Sequence, residues 1–181
     1  YRVHEKPTME KMDDLKTFLG SFGIHLKGNS DNIHPTAIRA VLESVAGKSY
    51  ERVVNAVSLR SMQKAIYDTE CGGHFGLALK YYSHFTSPIR RYPDLQIHRI
   101  IKENLRKGIA GERRKHYDNI LPDVTKNCSI NERRAEDAER EVEKMKKTEY
   151  MLDKIGQTFD GVISGVTAWG VYVELPNTIE G

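Results

Sequence analysis

Apolar residues recur at threes and fours through most of the chain and at twos only near its end. After Pro7, Thr8 caps a predicted helix whose apolar positions are Met9, Met12, Leu15, Leu19 and Phe22, broken by Gly20 and Gly23. His34-Pro35-Thr36 opens a second helix, with Ile38, Val41, Leu42 and Val45 on one face and Gly47 as its stop. A third follows from Lys48 or Ser49, carrying Tyr50, Val53, Val54, Val57 and Met62. These three predict a helical layer. At Cys71-Gly72-Gly73 the pattern changes, and His74–Leu79 is short, glycine-punctuated and compatible with a buried strand.

Beyond a loop holding Ser83, Thr86 and Ser87, a helix runs through Ile97, Ile100, Ile101 and Leu105, starting at Pro88 with Ser87 as its cap or at Pro93. Residues 106–116 form the most basic local stretch and fit a solvated loop as well as a polyanion contact. Ser129-Ile-Asn-Glu132 reads as a capping box opening a long helix along Ala135, Ala138, Val142, Met145 and Leu152. From Gly156 the period shortens to two. Two strands, Thr158-Phe-Asp-Gly-Val-Ile-Ser-Gly165 and Trp169-Gly-Val-Tyr-Val-Glu-Leu175, are joined by a short turn and predict the opening of a β-barrel continuing past Gly181.

The 181 residues carry 28 Lys+Arg against 25 Asp+Glu, a net of +3, so any polyanion surface must come from local clustering and not from overall charge. Residues 132–147 balance six acidic with six basic side chains, which makes a solvated helix face and not a phosphate clamp. Cys71 and Cys128 are too far apart in sequence for a disulfide framework or a CxxC metal pattern. No apolar run approaches the roughly 18–20 residues that cross a bilayer. The expectation is a soluble, cytoplasmic protein and, from the start at Tyr1 without Met, a piece cut from a longer chain.

The stretch richest in chemistry is His84-Phe-Thr-Ser-Pro-Ile-Arg-Arg-Tyr-Pro-Asp-Leu-Gln-Ile-His98-Arg99. If it is helical from Pro88, Arg90, Asp94 and His98 fall at i, i+4 and i+8 on one face, and Asp94 can fix both the arginine and the imidazole. A guanidinium at a helix N-terminus beside hydroxyls suits a phosphate. The same three residues suit a structural network equally well, and spacing does not separate the two.

These residues, with Tyr1-Arg-Val-His-Glu-Lys-Pro7, His34-Pro35, Arg60–Tyr67 and Glu132-Arg133…Ala138-Glu139-Arg140 in order, resemble the ribonuclease II/ribonuclease R family of exoribonucleases. The resemblance covers roughly residues 1–155, and residues 156–181 resemble the start of an S-one type OB-fold RNA-binding barrel. The implied fold class is therefore α+β: a predominantly helical part of a ribonuclease II-type catalytic domain followed by the first strands of an OB-fold barrel.

The implied activity is Mg²⁺-dependent, processive hydrolysis of RNA from single-stranded 3′ ends to nucleoside 5′-monophosphates, with no DNA preference and no membrane partner. By position Arg90 is the catalytic arginine. The resemblance also implies that Ser87, Arg91 and Glu139 lie against the RNA and that Trp169 and Tyr172 stack on bases. His84, Asp94 and His98 are supports.

One departure stands out. The family's metal-binding aspartates form a close-set group upstream of where this chain begins, and the ten aspartates here are scattered, with Asp13-Asp14 as the only adjacent pair. The expectation is that no Mg²⁺ binds to this polypeptide, that it has no nuclease activity alone, and that it self-associates through its exposed half-domain surface. The alternative is a non-catalytic RNA-binding or regulatory module on the same scaffold.

Overall fold

The computed structural model describes residues 1–175, so residues 176–181 of the expected barrel segment lie outside it. The described chain is mostly helical with few strands, in the order β1 (Arg2–Val3), α1 (Met9–Gly20), α2 (Pro35–Val45), α3 (Glu51–Ser61), β2 (Ile66–Tyr67), α4 (Tyr92–Lys107), α5 (Gly111–Leu152), β3 (Val162–Thr167) and β4 (Gly170–Glu174). It divides into two compact units, Tyr1–Ile130 and Asn131–Gly181, with the boundary inside α5.

In the first unit the helical layer forms for the reasons the sequence gives. Thr8 Oγ1 accepts from Lys11 N–H at 3.4 Å, and His34 Nδ1 accepts from Thr36 N–H at 3.3 Å, so α1 and α2 each begin on a side-chain cap. Met12, Leu15 and Leu19 of α1 meet Ile38, Val41 and Val45 of α2 and Val54 of α3, and Leu26, Ile33 and Phe75 complete the core. Truncating one such buried aliphatic side chain costs about 2–5 kcal/mol. Asp13, from the adjacent acidic pair, accepts from the Ser30 hydroxyl, while Lys16 Nζ donates to Gly28 O at 2.7 Å. That pair ties down the connection between α1 and α2.

Two expectations are corrected here. His74–Leu79 is not a strand. His74 and Leu79 pair with each other, N–H to O at 2.8 and 3.2 Å, and close a loop over a 3-10 turn at Phe75–Leu77, with Ala78 left-handed at φ 55°. The cause is local: Phe75 turns into the core, and Gly76 sits where a Cβ would lie 2.9 Å from His4 Nδ1.

Ser129-Ile-Asn-Glu132 likewise starts no helix, because α5 is already continuous from Gly111. Within it the Ser129 hydroxyl donates to Thr125 O at 2.9 Å and accepts from Tyr67 N–H at 2.9 Å. The hydroxyl thus joins β2 to α5 rather than capping anything.

The basic stretch at 106–116 is a loop only at its centre. Gly108, at φ 70°, ends α4, and α5 begins three residues later. Across that turn Arg113 grips Glu103 with two hydrogen bonds, at 2.5 and 2.8 Å, and Tyr117 O–H donates to the same carboxylate at 2.6 Å. The Arg113 hydrogen bonds, then that of Tyr117, hold the Glu103 carboxyl down at about 2, and the shared proton pushes the Tyr117 phenol up.

The second unit holds the C-terminal half of α5 and an antiparallel hairpin of β3 and β4, with Thr167 opposite Gly170. Two strands with a short turn are as expected. Gly165 lies beneath the Tyr172 ring, where a Cβ would be 3.6 Å from the ring carbon, so the glycine makes room for the aromatic across the strands.

Candidate functional site

The site is the segment His84–Arg99, where a turn feeds into α4. Arg90 and Arg91 N–H both donate to Ser87 O, at 3.3 and 3.0 Å, closing a turn over Pro88 and Ile89. The helix begins after it, at Tyr92, with Arg91 as its N-terminal flanking residue. Pro93 falls in the first turn, where a missing N–H is harmless.

Asp94 holds this turn in place. It is completely buried, and its Oδ2 accepts from Ser87 N–H at 2.7 Å and from Arg91 Nε and Nη2 at 3.2 and 2.8 Å. Three donors on one oxygen lock the loop to the helix, while Oδ1, also buried, has no partner among the described residues.

This geometry alters the reading from spacing. The helix does not start at Pro88, so the i, i+4, i+8 face of Arg90, Asp94 and His98 does not form. Asp94 fixes Arg91 and not Arg90. His98 turns instead to Phe85: its Nε2 lies 2.8 Å from the Phe85 carbonyl oxygen, and its ring stacks on Phe85 with centroids 4.3 Å apart at 17°.

Ser87 contributes its backbone, with no hydrogen bond from its hydroxyl among the described residues. The Arg90 side chain is left exposed, without hydrogen bond or ion pair among the described residues. Ile89 beside it is fully exposed. The helix dipole at this end already faces the Asp94 carboxylate, so the positive charge on offer to an anion is that of Arg90.

Upstream, His84 Nδ1 lies 2.9 Å from the Tyr67 hydroxyl and its ring meets Tyr67 and Tyr82 edge-on. The row continues through His74 to His4. Both outer imidazoles accept backbone N–H bonds through Nδ1, His4 from Gly76 at 3.1 Å and His74 from Leu77 at 3.3 Å. Burial, then the nearby His4 and Arg2, lower the His74 pKa and so favour the neutral ring that this acceptor role requires.

Sequence reasoning missed Phe85 as the platform for His98 and Ser87 N–H as a ligand of Asp94. An aromatic followed by Thr-Ser-Pro was the available signal for the first, but a backbone donor leaves none.

The other expected site residues belong to the second unit. Glu139 is exposed on α5 near Glu136, Arg140 and Glu143. Trp169 occupies the hairpin turn at 89% exposure, and Tyr172 lies on β4 at 60%. Among the described residues both aromatics are largely exposed, with the Tyr172 ring lying over Gly165.

No group of three His, Cys, Asp or Glu side chains among the described residues is placed to hold a metal ion. No described helix is long and apolar enough to cross a membrane.

An RNB domain matches residues 1–107, and the chain belongs to the RNB-domain family. Among the relatives it matches are ribonucleases R. Ribonuclease R 1 of Lactococcus lactis is 42% identical over 181 residues, covering 100% of this chain and 22% of that protein. Ribonuclease R of Escherichia coli is 43% identical over 182 residues, covering 97% of this chain and 22% of the other.

Among solved structures, the apo form of Mycoplasma genitalium RNase R superimposes with a TM-score of 0.90 at 28% identity, over 98% of this chain and 28% of that one. The same protein in complex with double-stranded RNA gives 0.88 at 27% identity, over 98% of this chain and 32% of that one. The chain thus spans only 22% of the length of each of the two named ribonucleases R.

Proposed function

We propose that residues 1–155 are the C-terminal part of the catalytic domain of a longer, cytoplasmic ribonuclease R-type enzyme, and that residues 156–181 open an OB-fold RNA-binding barrel. The enzyme hydrolyses RNA from single-stranded 3′ ends, releasing nucleoside 5′-monophosphates, with Mg²⁺ bound by the longer protein. The observation that carries this reading is the turn before α4. A buried carboxylate spends itself on Arg91 and Ser87, and the adjacent Arg90 is left projecting and unpaired.

A free guanidinium on a rigid turn is suited to oxygens of a phosphate as charge develops on them. Ser87 and Arg91 shape the turn, His84 and His98 brace its two sides, and Glu139 with the exposed Trp169 and Tyr172 takes up the strand elsewhere. The described residues do not fit the Mg²⁺ site, so the donors belong to the rest of the protein. This missing donor set also favours a second reading, a non-catalytic RNA-binding module. Uncovered apolar surface in such a part supports self-association of the chain alone.

One assay separates these readings. With Mg²⁺ and 5′-labelled homopolymeric RNA, the longer protein should shorten the RNA stepwise from its 3′ end, and the 181-residue chain should leave it intact. Intact RNA with both proteins supports the binding module. Shortening by the 181-residue chain alone contradicts the assignment of the metal donors to the rest of the protein.

A further inference from the structure

We propose that the exposed face of α4 carrying Arg99, Lys102, Arg106 and Lys107 is a binding site for the phosphate backbone of RNA, distinct from the Arg90 turn. This rests on the reading of RNA as substrate. The four cations line a shallow hollow of about 290 Å³ whose only other lining residue is Glu103. At i, i+3, i+7 and i+8 they share one side of the helix, and Arg99 and Arg106 stand about 10 Å apart along its axis.

The single carboxylate is already committed. Glu103 is held by both nitrogens of the Arg113 fork and by the Tyr117 hydroxyl, although Lys107 also acts on it through space. The hollow therefore carries four positive charges with one acid that is itself neutralised by Arg113.

The neighbouring cations are different. Lys115 pairs with Glu112 at 2.8 Å and Arg114 with Asp118 at 3.9 Å. The side chains of Arg99, Lys102, Arg106 and Lys107 form no hydrogen bond or ion pair among the described residues. The helix C-terminus favours Arg106 and Lys107, which lie in the last turn, but it gives no reason for Arg99 and Lys102. The whole chain is only +3, so this concentration of unpaired charge is a local feature.

Protein interfaces are built around buried aromatic or aliphatic anchors, and the hollow is lined by none, the exposed Leu105 and Ile101 of the same helix lying outside it. Repeated charges spaced along a straight element, without an anchor, fit a regular polyanion.

The test measures binding of the 181-residue chain to a fluorescein-labelled oligoadenylate of about 20 nucleotides by anisotropy across a range of salt concentrations. The variants are R99Q/K102Q/R106Q/K107Q, R99Q/K102Q alone, and R114Q/K115Q as a matched control, each checked by circular dichroism. The fourfold variant should lose about tenfold or more in affinity, and its log K against log salt slope should flatten by about 3, since each single-strand phosphate contact contributes about 0.7.

R99Q/K102Q, which leaves the helix end untouched, should flatten the slope by about half as much, and R114Q/K115Q should leave it nearly unchanged. Wild-type affinity and slope in both α4 variants, with wild-type chain still binding RNA, would overturn the α4 site and leave the enzymatic reading standing. No RNA binding by the wild-type chain would overturn the α4 site as well. Equal binding of polyglutamate and RNA to the α4 face would overturn the assignment to RNA and point to an acidic protein.

Discussion

Asp94 shows how one residue decides the local structure. It is fully buried and charged, and its Oδ2 serves two groups that would otherwise be unpaired, Ser87 N–H and the Arg91 guanidinium. Breaking such a pair from one side leaves the other charge stranded at a cost of about 3–5 kcal/mol.

Asp94→Ala should therefore lower stability by about 3 kcal/mol in a denaturant melt, and Asp94→Asn should lose less, because an amide oxygen still accepts from Ser87. Equal stability of wild type and Asp94→Ala would contradict this role. The sequence placed Arg90, Arg91, Asp94 and His98 together but not their pairing. That depends on whether the helix starts at Pro88 or Tyr92, and the decisive partner, Ser87 N–H, is a backbone group with no side-chain signature.

At the scale of elements, what was legible is what local chemistry dictates. Thr8 caps α1 and His34-Pro35-Thr36 opens α2 as expected, and the apolar stripe of α1 at Met12, Leu15 and Leu19 is buried. What was illegible depended on distant partners. His74–Leu79 has strand-like composition, yet Phe75 and the close approach of Gly76 to His4 fold it into a loop. Ser129 has capping chemistry, yet Tyr67, 62 positions away in sequence, takes its hydroxyl.

The α4–α5 turn gives a prediction of its own. The Glu103 carboxyl sits at about 2, below its ordinary value of 4.5, so its contribution is complete above about 4.5 and is lost as pH falls toward 2. The Tm difference between wild type and Glu103→Gln should be largest near neutral pH and should narrow steadily below about pH 4.5. A difference that stays constant between neutral pH and about pH 3 would contradict the clamp.

At the scale of the molecule, the plain charge of +3 conceals an uneven distribution. The long helix α5 pairs its charges in successive ion pairs such as Asp137–Arg140, Glu141–Lys144 and Lys146–Glu149, while α4 leaves four cations open. The RNB domain matches residues 1–107, and the structural likeness to the Mycoplasma genitalium RNase R extends over 98% of this chain. Among the described residues no group of three His, Cys, Asp or Glu side chains is placed to hold a metal ion.

The central claim is a division of labour between two adjacent arginines, one structural and one offered to the phosphate. Its most direct test is to make Arg90→Ala and Arg91→Ala separately in the longer ribonuclease R-type protein, and to measure the single-turnover rate on saturating RNA together with Tm. Arg90→Ala should slow the reaction about 10²-fold or more with Tm unchanged, the scale seen when one group stabilising developing charge is removed, while Arg91→Ala should lower Tm. A stable, fully active Arg90→Ala protein, or a Tm loss confined to Arg90→Ala, would contradict the account.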